Sequence, residues 1–281
     1  MPSPNVVVVP GVGSIAFPDR DQMRVRSNGR QLSIPTHMMG LMEAIPPPPA
    51  IFDLSKAEAI KYPILGNNQY GDCFYAAAAH QSQTYTGNVG TAAQFDVNAL
   101  VHRYEQLSGG DNGLSDGDIM PEFKTGIVGP NGPHKIIDWM TIKPSDAASV
   151  ALGMWAFCGL MWTCALPSGW ANNAKPGATW GTGAGHPVGG HAMHLTGVNA
   201  KGGYDVRTWG ISPPINVTKA GLLSADPELI VCFSLEMFGP DGVAPHCGAN
   251  YDQLAALWRQ LGGKTLPPSP FPPAPELDWY A

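Results

Sequence analysis

The chain has 281 residues, enough for one large domain or two modest ones, and its apolar content of 44% supports a sizeable core. Charged residues at 14% fall well below the usual quarter, while 34 glycines and 28 prolines stand well above average, a composition of ordered, loop-rich protein with a neutral polar surface. A formal net charge of −6 argues against nucleic acid as a bulk partner, because binding a phosphate backbone needs a basic face, and no apolar run reaches the length of a membrane span.

Residues 1–50 read as an arm. The stretch NVVVVPGVGSIAFPD holds two β-branched or aromatic segments separated by Pro10-Gly11 and Gly13, which suits a short hairpin or two edge strands. Such strands either lie as a flap on the domain's own sheet or pair with a neighbouring subunit, and the residues favour neither. The phrase VPGVGSIAFPD is similar to short segments of phage structural proteins. Met1 to Pro10 has no basic n-region and Val6 to Val9 is too short for a signal core, so the expected location is the cytoplasm or an assembled virus particle. Arg20, Arg24, Arg26 and Arg30 read as a solvated face or an interface. Met38, Met39, Leu41 and Met42 form an apolar patch, and Pro46 to Pro49 a polyproline spacer into the domain proper.

That domain spans 51–236 and is organised around Leu65 to Gln83, LGNNQYGDCFYAAAAHQSQ. A polar turn delivers Cys73 to the start of an alanine-rich run with strong helical propensity. A thiol at a helix N-terminus is either a small packed apolar residue or a nucleophile, since the macrodipole there favours thiolate. Thr91 to Leu107 has helical spacing of Phe95, Ala99, Leu100, Tyr104 and Leu107. Gly109 to Gly117 predicts a turn before a helix over Asp118 to Lys124, since it lacks the alternation and terminal glutamate of a calcium loop. Ser145 to Met154 predicts a helix capped by Ser145, followed by a buried strand over Ala156 to Leu166. The loop Pro167 to Pro187, with Trp170 and Trp180, reads either as a packed surface loop or as the aromatic wall of a cleft.

Gly189 to Gly210, GGHAMHLTGVNAKGGYDVRTWG, predicts two strands joined at Asn199 to Gly203, with His191 opening the first and Trp209 closing the second. His194 lies at an odd separation from His191 and so faces the other way, which excludes a same-face metal pair. Ile215 to Val217 and Glu228 to Leu235 supply further strands. Residues 237–281 hold a helix over Tyr251 to Leu261 and a Pro-rich tail ending in Trp279-Tyr280. The five cysteines, at 73, 158, 164, 232 and 247, contain no CxxC, so neither a zinc framework nor any other metal site is expected, and the compartment is expected to be reducing.

Cys73-Phe74 after a polar loop, Gly190-His191-Ala192 with Gly197, and Thr208-Trp209-Gly210 together resemble the papain-like cysteine peptidase superfamily over about residues 51 to 236. The resemblance implies an α+β fold with a central helix packed on an antiparallel sheet, here with N- and C-terminal extension arms. It implies hydrolysis of a peptide or other amide, with Cys73 as nucleophile, His191 as acid and base, and no cofactor. Two positions depart from the pattern. Asn67 stands where the family has its oxyanion glutamine and Gln69 stands two residues on, so either is a candidate donor beside the Cys73 amide. Arg207 stands where the family has the asparagine that orients the histidine, and arginine has no acceptor; Asp205 is the candidate replacement. Trp170, Trp180 and Trp209 are candidate substrate-binding residues. The rival function is a structural or assembly protein, a virion component for example, that keeps the fold with weak or lost catalysis and self-associates through residues 1–50 and 262–281. A non-catalytic binding module built on the Trp170–Trp180 loop is the third reading.

Overall fold

In the computed structural model, Cys73–Val89 form helix α1, with almost every side chain buried. The structure describes residues 5–18, 31–32, 45–56 and 59–272. The arginine cluster at 20–30, the methionine patch at 38–42 and the Trp279-Tyr280 end lie outside the described residues. Ala76 to Ala79 give α1 a narrow waist, so strands approach it closely and it becomes the centre of the core.

The arm begins as the expected hairpin, β1 (Asn5–Val9) and β2 (Gly13–Phe17), paired antiparallel. Alternation along β1 turns Val9 inward and leaves Val6 and Val8 64% and 66% exposed. Short strands β3 (Gln31–Leu32) and β4 (Phe52–Asp53) follow, then α1. Helix α2 (Val97–Ser108) starts later than Thr91 because Asp96 caps it, accepting the Ala99 N–H at 2.8 Å. Helix α3 (Asp116–Thr125) carries a capping box between Ser115 and Asp118. Strands β5 (Ile127–Gly129), β6 (Gly132–His134) and β7 (Asp138–Ile142) lead to α4 (Ala147–Ala156). The cap of α4 is Asp146 and not Ser145; its carboxylate accepts the Ser149 N–H. The following strand β8 (Leu160–Pro167) begins four residues later than the apolar run suggests. Cys158 and Gly159, both at positive φ, make the helix-to-strand turn first.

Beyond α5 (Ser168–Asn172) and β9 (Thr179–Trp180), the long strand β10 (Pro187–Val198) runs antiparallel to β8 on one side and to β11 (Tyr204–Arg207) on the other. His191 is therefore interior to its strand and does not open it. Strand β12 (Ile215–Val217), α6 (Lys219–Ser224), β13 (Glu228–Phe233) and α7 (Tyr251–Gln260) complete the chain. The large, mainly antiparallel sheet runs β3-β7-β13-β8-β10-β11-β12-β9, with β4 also paired to β10. Helix α7 joins the same core through Trp258, which meets Phe157 at 5.0 Å and Phe233 at 5.7 Å between ring centres. The proline-rich stretch after it is tied down as far as Phe271, which packs on Phe238 and Tyr251.

Candidate active site

Cys73 is the first residue of α1, and the turn before it is pinned from outside. The Asp111 carboxylate accepts the Gly71 N–H at 2.7 Å and the Tyr104 hydroxyl at 2.6 Å. The glycine-rich turn after α2 thus orders the approach to the thiol, a use of Asp111 that its sequence context does not signal. On the sheet side, the Ala192 N–H is directed at the Cys73 sulfur. Cys73, Ala192, Thr208 and Trp209 border one cavity of about 10 Å³ together with Asn67, His80 and Arg207.

His191 is held by its neighbours on the sheet. Its ring stacks on Trp209 at 4.4 Å with planes 20° apart, and its Nε2 is bonded to the Thr208 hydroxyl at 2.8 Å. Its Nδ1 has no hydrogen-bond partner among the described residues. Thr208 is thus the polar partner of the imidazole that the sequence reading missed; its only signal was its place one step before Trp209.

Asp205 is not that partner. Strand β11 pairs His194 with Arg207 and Gly197 with Asp205, so extending the register sets Asp205 five residue steps, on the order of 17 Å along the strand, from the level of His191. Its carboxylate instead accepts the Asn199 amide at 3.0 Å. Arg207 is buried and turned away from the imidazole. It donates to Ser55 and, at 3.4 Å, to Thr196, lies 3.9 Å from the Asp53 carboxylate, and covers the Tyr62 ring at 5.0 Å.

The two oxyanion candidates separate. Asn67 borders the cavity at Cys73, and its amide donates to Asp72 Oδ1 at 3.0 Å and to Tyr70 O at 3.4 Å. Gln69 is exposed and lines a different, open cavity of about 530 Å³ with Asn68, Tyr70, Val97, His102 and Glu105, so it is not placed beside Cys73. Trp170 and Trp180 are not cleft walls, whereas Trp209 borders the cavity at Cys73. Trp170 and Trp180 are buried and stacked at 5.1 Å, Trp180 meets Trp209 at 6.4 Å, and this aromatic column backs His191 from within the core.

The arm covers the site. Phe17 sets its ring edge against His191 at 5.7 Å and against Trp209 at 6.1 Å, and the Gly190 N–H donates to Pro18 O at 2.8 Å. Glycine is required on both sides of the crossing: a Cβ on Gly189 would meet Phe17 Cβ at 2.5 Å, and one on Gly113 would meet Pro18 Cβ at 2.7 Å. Cys73 is 2% exposed and His191 1%, and the remaining cavity is the size of about one water-sized sphere, too small for an acyl group.

Burial dominates the electrostatics. It pushes the Cys73 thiol up to about 12, with the Ala192 N–H opposing and the charge of Asp72 adding to it. It pushes the His191 imidazole down to about 3. In the covered state the pair is therefore a neutral thiol and a neutral imidazole.

Burial likewise lowers His80 to about 4 and His194 well below its usual value. His80 is bonded to Pro63 O at 2.8 Å, while His194 is bonded to the Thr84 hydroxyl at 2.7 Å and, through Nδ1, to Leu160 O at 3.1 Å. All three imidazoles bind protons less readily folded than unfolded. Their effect on stability is absent above the unfolded value of about 6.5 and grows as the pH falls toward the folded values. Each contributes a loss of about 1.4 kcal/mol per pH unit between its unfolded and folded values, and His246, lowered by burial to about 4, adds to them, so together they remove a large part of a domain's stability. Asp72 and Asp205, both raised by burial, act with the opposite sign. The urea midpoint is expected to fall steeply between about pH 6.5 and 4.5; a constant midpoint there would contradict neutral burial of these imidazoles.

No protein-family model matches the sequence, and no curated relative matches it. Solved structures do match by fold. Xylellain, a cysteine protease from Xylella fastidiosa, is 14% identical with a TM-score of 0.58 over 78% of this chain and 95% of its own. Procathepsin B S9 from Trypanosoma congolense is 11% identical with a TM-score of 0.55 over 75% and 85%. A chain from a structure concerning the mite allergens Blo t 1 and Der p 1 is 16% identical with a TM-score of 0.51 over 74% and 79%.

Proposed function

We propose that this chain, which has the papain-like cysteine peptidase fold, is a thiol hydrolase of peptide or other amide bonds. The observation that carries the proposal is the placement of Cys73 at the N-terminus of α1, with the Ala192 N–H on its sulfur and the residue before Ala192, His191, fixed on Trp209. With the site open, His191 takes the Cys73 proton as the sulfur attacks the amide carbon. The tetrahedral oxyanion is held by the Cys73 N–H and by Asn67, whose long contact to Tyr70 O is the one it displaces. Collapse expels the amine, which leaves with the proton from His191, and a thioester remains. Water, deprotonated by His191, then releases the acid and restores the thiol.

The test is amine release from a panel of peptide amides. Cys73→Ser and His191→Ala are each expected to lower it by at least about a thousandfold. Hydrolysis that survives Cys73→Ser, or none across the panel from a chain freed of its arm, would overturn the proposal. The second reading, an assembly protein on the same fold, is supported by the burial of the thiol, by the packing of Phe17 on His191 and by the outward Val6 and Val8 as a surface for self-association. It predicts no turnover in any form of the chain and a concentration-dependent oligomer.

A further inference from the structure

A catalytic imidazole must present a lone pair to the thiol, so its single proton has to be kept on the other nitrogen. Among the described residues, the Thr208 hydroxyl is available for this around His191. Asp205 is bound to Asn199, Arg207 is an obligate donor turned toward Ser55 and Thr196, and Trp209 offers a ring face and a donor only.

The backbone is bent to make the Thr208 contact. Thr208 and Trp209 lie just past the end of β11, where strand alternation no longer holds, and both reach the same imidazole. Trp209 achieves this at φ +51°, a left-handed conformation that costs a bulky side chain on the order of 1–2 kcal/mol. Strain of this kind persists where the surroundings over-determine it, and here it sits between the two groups that hold His191.

We infer that Thr208 is the positioning residue of His191: its oxygen accepts the Nε2–H and so fixes the tautomer whose lone pair is on Nδ1. The opposite tautomer would leave an Nδ1–H buried without a partner, a cost of about 1–3 kcal/mol. The Thr208 hydroxyl hydrogen has an outlet, because Thr208 borders the cavity beside Cys73. Being neutral, the hydroxyl orients the ring without the counter-charge a carboxylate would give to the imidazolium formed during turnover. The inference rests on the thiol-hydrolase reading for its catalytic meaning, whereas the tautomer it assigns is measurable without any substrate.

The experiment compares Thr208→Val, close to isosteric and without the hydroxyl, with Thr208→Ser, which keeps it. The first readout is the ¹⁵N shift of the two ring nitrogens of His191 in histidine-labelled full-length protein. Wild type and Thr208→Ser are expected to show a protonated Nε2 and a bare Nδ1, and Thr208→Val a mixed or reversed pattern. The second is kcat on any amide substrate the chain turns over, expected to fall about tenfold in Thr208→Val and to be restored in Thr208→Ser, the worth of one hydrogen bond. Thr208→Ala replaces the valine variant if that one does not fold. An unchanged tautomer in a folded hydroxyl-free variant overturns the inference, even if the chain proves to be a hydrolase. A tautomer change in a chain that shows no turnover even when freed of its arm upholds the positioning and refutes the hydrolase reading.

Discussion

A chain lacking residues 1–18 is expected to expose Cys73 to iodoacetamide at a rate roughly a hundredfold above that of the full chain, the factor for an opening free energy of about 3 kcal/mol. The expectation follows from the crossing of Phe17 and Pro18 between Gly113 and Gly189, where Phe17 meets His191 and Trp209, and from the 2% exposure of a thiol whose cavity Trp209 borders. Cys158, Cys164 and Cys232 are buried in the core and serve as internal controls, since none should gain reactivity if the loss of cover is local. Deleting the hairpin also removes the buried Val9, Ile15 and Phe17, so Phe17→Ser in the intact chain provides a milder test with a smaller gain at Cys73 alone. Equal labelling of Cys73 with and without the arm would show that residues 1–18 do not close the site. Labelling of all four thiols together would show that the hairpin holds up the whole fold.

Arg207 gives the second large effect, on stability. Its guanidinium is buried against Ser55, Thr196, Asp53 and the Tyr62 ring, linking β11 to the segment after β4. Removing one partner from such a buried group leaves the others uncompensated, so Arg207→Ala is expected to cost about 3–5 kcal/mol in denaturant unfolding. Arg207→Asn, which restores the residue type of the family pattern, is expected to be equally destabilising and to bring no gain in Cys73 reactivity. The position faces Ser55 and not His191. A stable Arg207→Asn chain with a faster thiol would contradict that placement.

The reading of these two positions shows what the sequence exposes. The thiol on a helix start, the Gly-His-Ala strand, the Asn199 to Gly203 turn and the strand over Ile215 to Val217 are each signalled locally, by propensity, alternation or turn chemistry, and the structure has them. The partner of His191 is not local. It depends on the register between β10 and β11 and on the left-handed bend at Trp209, and neither is written in residue types, so the residue types point to Asp205 and give no sign of Thr208. Gln69 lines another cavity for a similar reason: being near Cys73 in sequence does not decide which side of a loop an amide takes. For Trp170 and Trp180 the residue types leave a packed loop and a cleft wall both open, and the buried stack of the two rings decides for packing. The cover over the site was legible only as a hairpin, since its landing place depends on residues far apart in sequence.

The most direct measurement is the pH profile of iodoacetamide alkylation at Cys73 in the chain without residues 1–18, with and without His191→Ala. An ordinary thiol ionises near about 8.5, so alkylation near pH 6 that is at least about tenfold faster than such a thiol, and that His191→Ala removes, is the predicted result. A rate that follows a single thiol ionisation at or above that value, identical in His191→Ala, would contradict the account and make Cys73 a packed core residue of a protein that keeps the fold without the chemistry.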